Sequence, residues 1–428
     1  MEIPIQLDLK YGRSVQRLYL SGQCQCQTLH PSSPSIKLDE QEILKIRMRN
    51  PLASPPLEEV LKPGDRVLLV VPDKTRVARL NEVFPVLFPV FRARKIADSD
   101  VTVVFANGSH SLMTPEEKRA ILGETAASRF RMEEHDCRSS IVEKLGTTRR
   151  GTPVMVNPLL RQHDKVIVIG SVVHHYFAGF GGGPKMIVPG LAAYETILQN
   201  HKLAVLTAAE GPLHPECRPG NLQGNPVFED IQEAAQMVPV HFAIQLVLDE
   251  QNRIVDAFCG DLFSSFQKAS MRVHYLNAVG VDGPADVVIA SAGGYPKDVN
   301  LIQAHKAMHH ASLALKEGGT LLLLAECGEG WGNPDVMEWF AYDSYREMKE
   351  AVKKNFRLNA NTALAMKYKL NRYNILLVSK LPHDPLRELG FFPFSDVTAA
   401  VKAIESKLDG GAKVYIIPNA SVTLPVVR

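Results

Sequence analysis

"RVLLVVPDKTR" (residues 66–76) decides how this chain is expected to fold. It follows a Pro-Gly turn and opens on an unbroken apolar run. A strand that alternates apolar and polar residues keeps one wet face, whereas an unbroken run has both faces covered. Residues 66–73 therefore read as a buried strand, with the polar end Asp73-Lys74-Thr75-Arg76 falling where parallel strands deliver side chains to a ligand. The same signature returns in "VTVVFANG" (101–108) and "KVIVIG" (165–170), with helix-compatible sequence between. Residues 192–209 read as a helix and 242–260 as a hairpin turning at Asp249–Asn252, while residues 1–45 read as short strands and turns with a loop at "HPSSPS". Beyond the Gly- and Pro-rich "NAVGVDGPA" (277–285) the pattern restarts, with strands expected at 286–294, 319–330, 373–379 and 412–418.

This layout implies two α/β domains with mainly parallel sheets, over 1–276 and 277–428, and an active-site cleft between them. A length of 428 residues agrees, since a single core stops growing well before that size. Apolar content of 45%, charged content of 22% and a net charge of +2 describe an ordinary globular protein. They give no clustered basic face for nucleic acid. No apolar run approaches the roughly 18–20 residues of a membrane span, and the N-terminus lacks a basic-then-apolar signal layout, so a cytoplasmic protein is expected. Six scattered cysteines, of which only Cys24 and Cys26 are close, read as reduced thiols rather than a zinc site.

The segment "HHYFAGFGGGPKMIVPG" (174–190) resists the familiar readings. A Walker loop fails because Pro184 separates Gly183 from Lys185 and Met186 stands where a hydroxyl would hold magnesium. The dinucleotide pattern fails at Pro184 too. Gly181–Gly183 would still let backbone approach a ligand closely, with Lys185 given a constrained approach by Pro184. Arg76 suits bidentate capture of a carboxylate, and "ANGSHSLMT" (106–114) delivers His110 to the same sheet edge. His175, just after the third strand, reaches that edge as well. In the second half, "GGYPKDVNLIQAHKAM" (293–308) sets Gln303 and Lys306 on one helix face, with His305 off it.

In this order, "PDKTR", "GSHSLMT", "HYFAGFGGGPK", "NH" at 200–201, "GNPVFEDIQEAA" (224–235) and "GGYPKD" followed by Gln303 and Lys306 resemble the nickel-dependent lactate racemase family of 2-hydroxyacid racemases and epimerases. The resemblance runs along nearly the whole chain. It implies a nickel pincer nucleotide, the nickel complex of pyridinium-3,5-bisthiocarboxylic acid mononucleotide, tethered to Lys185 through a thioamide. Cofactor-biosynthesis enzymes would then be partners for maturation. It further implies His201 as the nickel ligand, a role that square-planar nitrogen and sulfur ligation suits. Asp73, Thr75, Gly182 and Gly183 would contact the cofactor, His110 and His175 would be the acid/base pair, and Arg76, Gln303 and Lys306 would bind or polarise the substrate. Of the paired histidines, His175 fits the motif and His174 is the extra one.

Inverting a 2-hydroxyacid centre requires making it planar and rebuilding it from the other face. The proton beside an ionised carboxylate is weakly acidic, so hydride removal is the easier route. Two histidines, one per enantiomer, match that symmetry, since imidazole titrates near neutrality. Lactate-specific relatives carry a tyrosine where Ile302 stands, and Lys74, Arg79 and Lys297 are nearby cations, so malate or another non-lactate hydroxyacid is expected. The alternatives are lactate itself, or a two-domain binding protein without the cofactor.

Overall fold

The computed structural model describes residues 5–20, 25–34, 38–138, 141–333, 335–408 and 411–428. The chain divides into two units, one of Ser33–Ala204 with Glu216–Tyr275 and another of Met1–Ser32, Val205–Pro215 and Leu276–Arg428. The first is called the histidine unit below, after His110, His175 and His201, and the other the second unit.

In the histidine unit a six-stranded sheet runs in the order Ile254–Gly260, Phe242–Leu248, Lys165–Ser171, Val67–Pro72, Val101–Ala106 and Arg131–Glu134. All neighbours are parallel except the first pair, the expected hairpin. Every residue of Val67–Pro72 is buried, as its apolar run requires. Leu69, Val71, Val103, Phe105, Ile167 and Ile169 join one core with the apolar face of the helix Leu80–Ala93.

The second unit repeats the plan in a fully parallel sheet, ordered Phe392–Phe394, Asn374–Val378, Leu315–Leu324, Ala285–Ser291, Lys413–Ile417 and Gln25–Thr28. Its last strand comes from the N-terminus of the chain. The preceding hairpin, Ile5–Tyr11 with Ser14–Leu20, adds Leu9, Tyr11, Leu18 and Leu20 to that unit's core. Residues at the start of the chain therefore belong with the C-terminal unit, not with the domain expected over 1–276. Strand pairing across a long sequence separation leaves no local trace.

Three other expectations shift. Glu40–Arg49 is a helix rather than more turn, started by a capping box between Asp39 and Glu42. The helix expected over 192–209 is Tyr194–Lys202, because the chain leaves the histidine unit after Ala204. Cys26 is disulfide-bonded, against the expectation of reduced thiols, while Cys137, Cys217, Cys259 and Cys327 are free and buried. Spacing in sequence does not report whether two Cα atoms come within the ~4.4–6.8 Å that a disulfide needs. Cys24 and Ser35 lie outside the described residues. Among those described, no helix is long and apolar enough to cross a membrane.

Candidate active site

Three adjacent strands of the histidine unit end on polar side chains. Asp73 follows Val67–Pro72, His110 follows Val101–Ala106 after a turn in which its N–H donates to the Asn107 carbonyl (3.0 Å), and His175 follows Lys165–Ser171. Asp73 is buried, and one of its carboxylate oxygens pairs with His110 Nδ1. The other oxygen accepts from the Thr75 N–H (3.0 Å) and hydroxyl (2.6 Å). Arg76 Nη1 in turn donates to the Thr75 hydroxyl (2.9 Å) and carbonyl (3.1 Å). Burial works to raise the Asp73 carboxyl, but His110, Arg76 and Thr75 outweigh it and hold the group well below the usual carboxylate range. Burial draws the Arg76 guanidinium down, with Asp73 opposing. Asp73 and Thr75 hold His110 and Arg76 in place.

The segment around Lys185 is a short hairpin, Val173–His175 paired with Gly179–Gly181, followed by a 3₁₀ turn over Gly183–Met186. Adjacent strand residues face opposite ways, and the two histidines separate accordingly. His174 stacks on Phe180 at 5.0 Å between centroids and sets Nε2 3.3 Å from His274 Nδ1. His175 instead meets Phe177 edge-on at 4.7 Å, and its Nδ1 accepts the Ala178 N–H at 3.3 Å. Gly182 and Gly183 are both at positive φ. A Cβ on Gly182 would lie 2.6 Å from the Ser171 carbonyl oxygen, and one on Gly183 would lie 2.2 Å from the Phe266 ring. The Gly183 N–H donates to Gln245 (3.2 Å). At both positions the missing Cβ admits neighbouring protein.

Lys185 and His201 meet at a residue that sequence reasoning passed over. Lys185 Nζ lies 5.3 Å above the Phe177 ring, and His201 packs against the same ring at 5.1 Å. Burial, helped by the charge of Arg76, pulls the Lys185 ammonium down to about 7, leaving a large neutral fraction near neutral pH. Burial, then the charges of Lys185 and His110, pushes His201 down to about 3 against the opposing Ile197 carbonyl. A neutral imidazole and a nucleophilic amine are what metal ligation and covalent tethering require. The donor set therefore fits the tethered nickel group.

Two further motifs act one layer out. Asn200, before His201, donates to Asp230 (2.8 Å) and to the Val227 carbonyl (3.1 Å). Asn225 donates to the Phe177 carbonyl (2.9 Å) and caps the helix Pro226–Gln236. "NH" and "GNPVFED" thus fix His201 and Phe177 in place. The motif "HYFAGF" contains Phe177, but an aromatic in a glycine-rich turn reads as filler.

In the second unit the Asn300 side chain caps the helix Leu301–Ser312, and Lys306 Nζ donates to Gln303 Oε1 (2.6 Å), joining the two expected residues. The cations invoked for a second substrate carboxylate are mostly engaged. Lys74 pairs with Glu117 at 2.8 Å, Arg79 with Glu40 and Glu82, and Lys297 reaches Asn419 at 3.4 Å.

The model of the lactate racemase N-terminal domain matches residues 11–211, and that of the C-terminal domain matches residues 281–424. The lactate racemase of Thermoanaerobacterium thermosaccharolyticum is 28% identical over 424 residues, 96% of this chain and 97% of that protein. The lactate racemase of Lactiplantibacillus plantarum is 32% identical over 299 residues, 69% of this chain and 68% of that one. The lactate racemase apoprotein structure from T. thermosaccharolyticum superposes with a TM-score of 0.86 at 27% identity, over 99% of this chain and all of that one. A Thermotoga maritima protein shares the fold, with a TM-score of 0.70 at 19% identity, over 92% of this chain and all of that one.

Proposed function

We propose, from the premise that this chain belongs to the lactate racemase family, that it is an isomerase inverting the hydroxyl-bearing carbon of a 2-hydroxycarboxylic acid. The observation that carries the reading is the meeting of Lys185 and His201 on the Phe177 ring, in the unit where Asp73 and Thr75 hold His110 and Arg76.

Lys185, with its lowered ammonium, is the tether, and the neutral His201 is the nickel ligand. When bound, the nickel pincer nucleotide supplies a reversible hydride acceptor. Arg76 holds the substrate carboxylate, since a guanidinium matches that group bidentately. His110, fixed through Nδ1, receives the hydroxyl proton at Nε2 for one enantiomer. His175 faces the other. Lys306, held by Gln303, neutralises the oxygen as charge develops on it.

Ile302 in place of a tyrosine admits a side chain larger than a methyl group. Glu117 engages Lys74 and Glu40 engages Arg79, so malate is left with Lys297 as the charge partner of its second carboxylate. A longer, apolar monocarboxylate is the better match. A cofactor-free binding protein would not need Lys185 and His201 on one ring together with an Asp73-held His110 and Arg76.

The test is a racemisation screen of cofactor-loaded protein over lactate, malate, 2-hydroxyglutarate, phenyllactate and aldonic acids. Interconversion of one of them supports the isomerase reading, and tight binding without interconversion supports the rival. Malate turned over faster than every monocarboxylate would reverse the substrate preference.

A further inference from the structure

A racemase needs a proton acceptor on each side of its substrate, and a mirror-symmetric reaction suggests two equivalent histidines. The anchors of His110 and His175 are of opposite kind. His110 sets Nδ1 against the Asp73 carboxylate, which only accepts, so the neutral ring carries its hydrogen on Nδ1 and its lone pair on Nε2. His175 sets Nδ1 against the Ala178 N–H, which only donates, so the lone pair sits on Nδ1 and the ring hydrogen on Nε2. Both anchors belong to the same compact unit and involve residues close in the fold rather than side chains at a loop tip. Asp73 is 3% exposed, and the Ala178 amide sits in the hairpin turn beside His175, itself 7% exposed.

We propose that the two histidines, when neutral, take opposite tautomers, so that His110 presents a proton acceptor at Nε2 and His175 presents a hydrogen-bond donor there. Asp73 and the Ala178 amide are the positioning groups that set this difference. The tautomers are argued from the two Nδ1 hydrogen bonds, and only their catalytic meaning rests on the racemase reading.

The consequence is a handed enzyme for a symmetric reaction. The enantiomer whose hydroxyl meets His110 gives up its proton directly to Nε2. Its mirror image meets an N–H at His175. For His175 to accept a proton at Nε2, the ring must first carry hydrogen on Nδ1, and that N–H then faces the Ala178 N–H in a buried turn. Giving up a buried hydrogen bond slows that first step on the order of tenfold or more. Racemisation has an equilibrium constant of one, so kcat/KM stays equal in both directions. The difference appears instead as unequal kcat and KM, matched in ratio, and as unequal first-turnover rates.

The deciding experiment is ¹⁵N NMR of the imidazole nitrogens in cofactor-free, ¹⁵N-labelled full-length protein at mildly alkaline pH. The two rings are identified by the signals missing from His110→Gln and His175→Gln. The expected result is a protonated Nδ1 for His110 and a protonated Nε2 for His175. Asp73→Asn should disturb the His110 pattern and leave that of His175 unchanged. The same tautomer in both rings overturns the proposal, and the wild-type spectrum alone shows this even if the variants fold poorly. Cofactor-free protein answers the tautomer question independently of activity. Opposite tautomers in a protein whose loaded form racemises nothing would sink the racemase reading alone.

Discussion

Each unit desolvates a lysine and several histidines, and the two sets differ in the charged groups around them. In the histidine unit Lys185 is drawn down to about 7 by burial and the nearby Arg76, and His201 down to about 3. In the second unit Lys369 is likewise drawn down to about 7 by burial, and His305, His309 and His310 are all lowered. The histidine unit adds Asp73, a buried carboxylate that fixes His110 and, through Thr75, Arg76. Lys369 is held by the Ala365 carbonyl (3.0 Å) and His305 Nε2 (3.3 Å). A lowered lysine reports desolvation and nothing more. A site also needs groups of opposite demand, here a carboxylate, a guanidinium, an imidazole and an amine, brought together.

The comparison breaks most sharply at the lysines. Lys185→Ala should abolish both the covalent adduct and racemisation in protein that still folds, read by intact mass and by polarimetry. Next comes His201→Ala, which should lower nickel per chain sharply and cut turnover at least a hundredfold, since losing even an outer partner of a metal site costs roughly 10–100-fold. Asp73→Asn should follow, with kcat reduced roughly 10²-fold through a misdirected His110, while nickel content holds.

The smallest effect on turnover is expected at Lys369→Met, with activity within about twofold of wild type. Its effect is on stability. The Lys369 ammonium is lower folded than unfolded, so the unfolded chain binds more protons between about pH 7 and 10.5. Stability conferred at this position is therefore present above about 10.5, declines as pH falls, and is fully lost below about 7. Lys369→Met removes that loss. The variant should be more stable than wild type at pH 7 by roughly 1–4 kcal/mol, with the gap closing towards pH 10, measured by urea unfolding. A destabilised variant at pH 7 would show that the lysine contributes something beyond a buried cost.

Much of this was legible in the sequence, for physical reasons that differ by element. Val67–Pro72, Val101–Ala106 and Lys165–Ser171 announced themselves because buried parallel strands need continuous apolar runs. Their polar ends then marked the edge where Asp73, Arg76 and His110 stand. The position of Gln25–Thr28 beside Lys413–Ile417 was not legible, because long-range strand pairing has no local signal. What Gly182 and Gly183 pack against was not legible, because a glycine run looks the same whether it admits a ligand, a carbonyl or a phenyl ring. Phe177 was hidden by chemistry, since its contacts with Lys185 and His201 depend on the hairpin that places it.

The central claim, that the histidine unit and not the lysine-and-histidine cluster of the second unit is the reactive site, is tested most directly by peptide mass mapping of protein matured with the cofactor-biosynthesis enzymes. The expected result is an adduct of several hundred daltons on the peptide containing Lys185, with the Lys369 peptide unmodified and nickel retained in the intact protein. Bare Lys185 in protein that racemises a 2-hydroxyacid, or an adduct on Lys369, would contradict it.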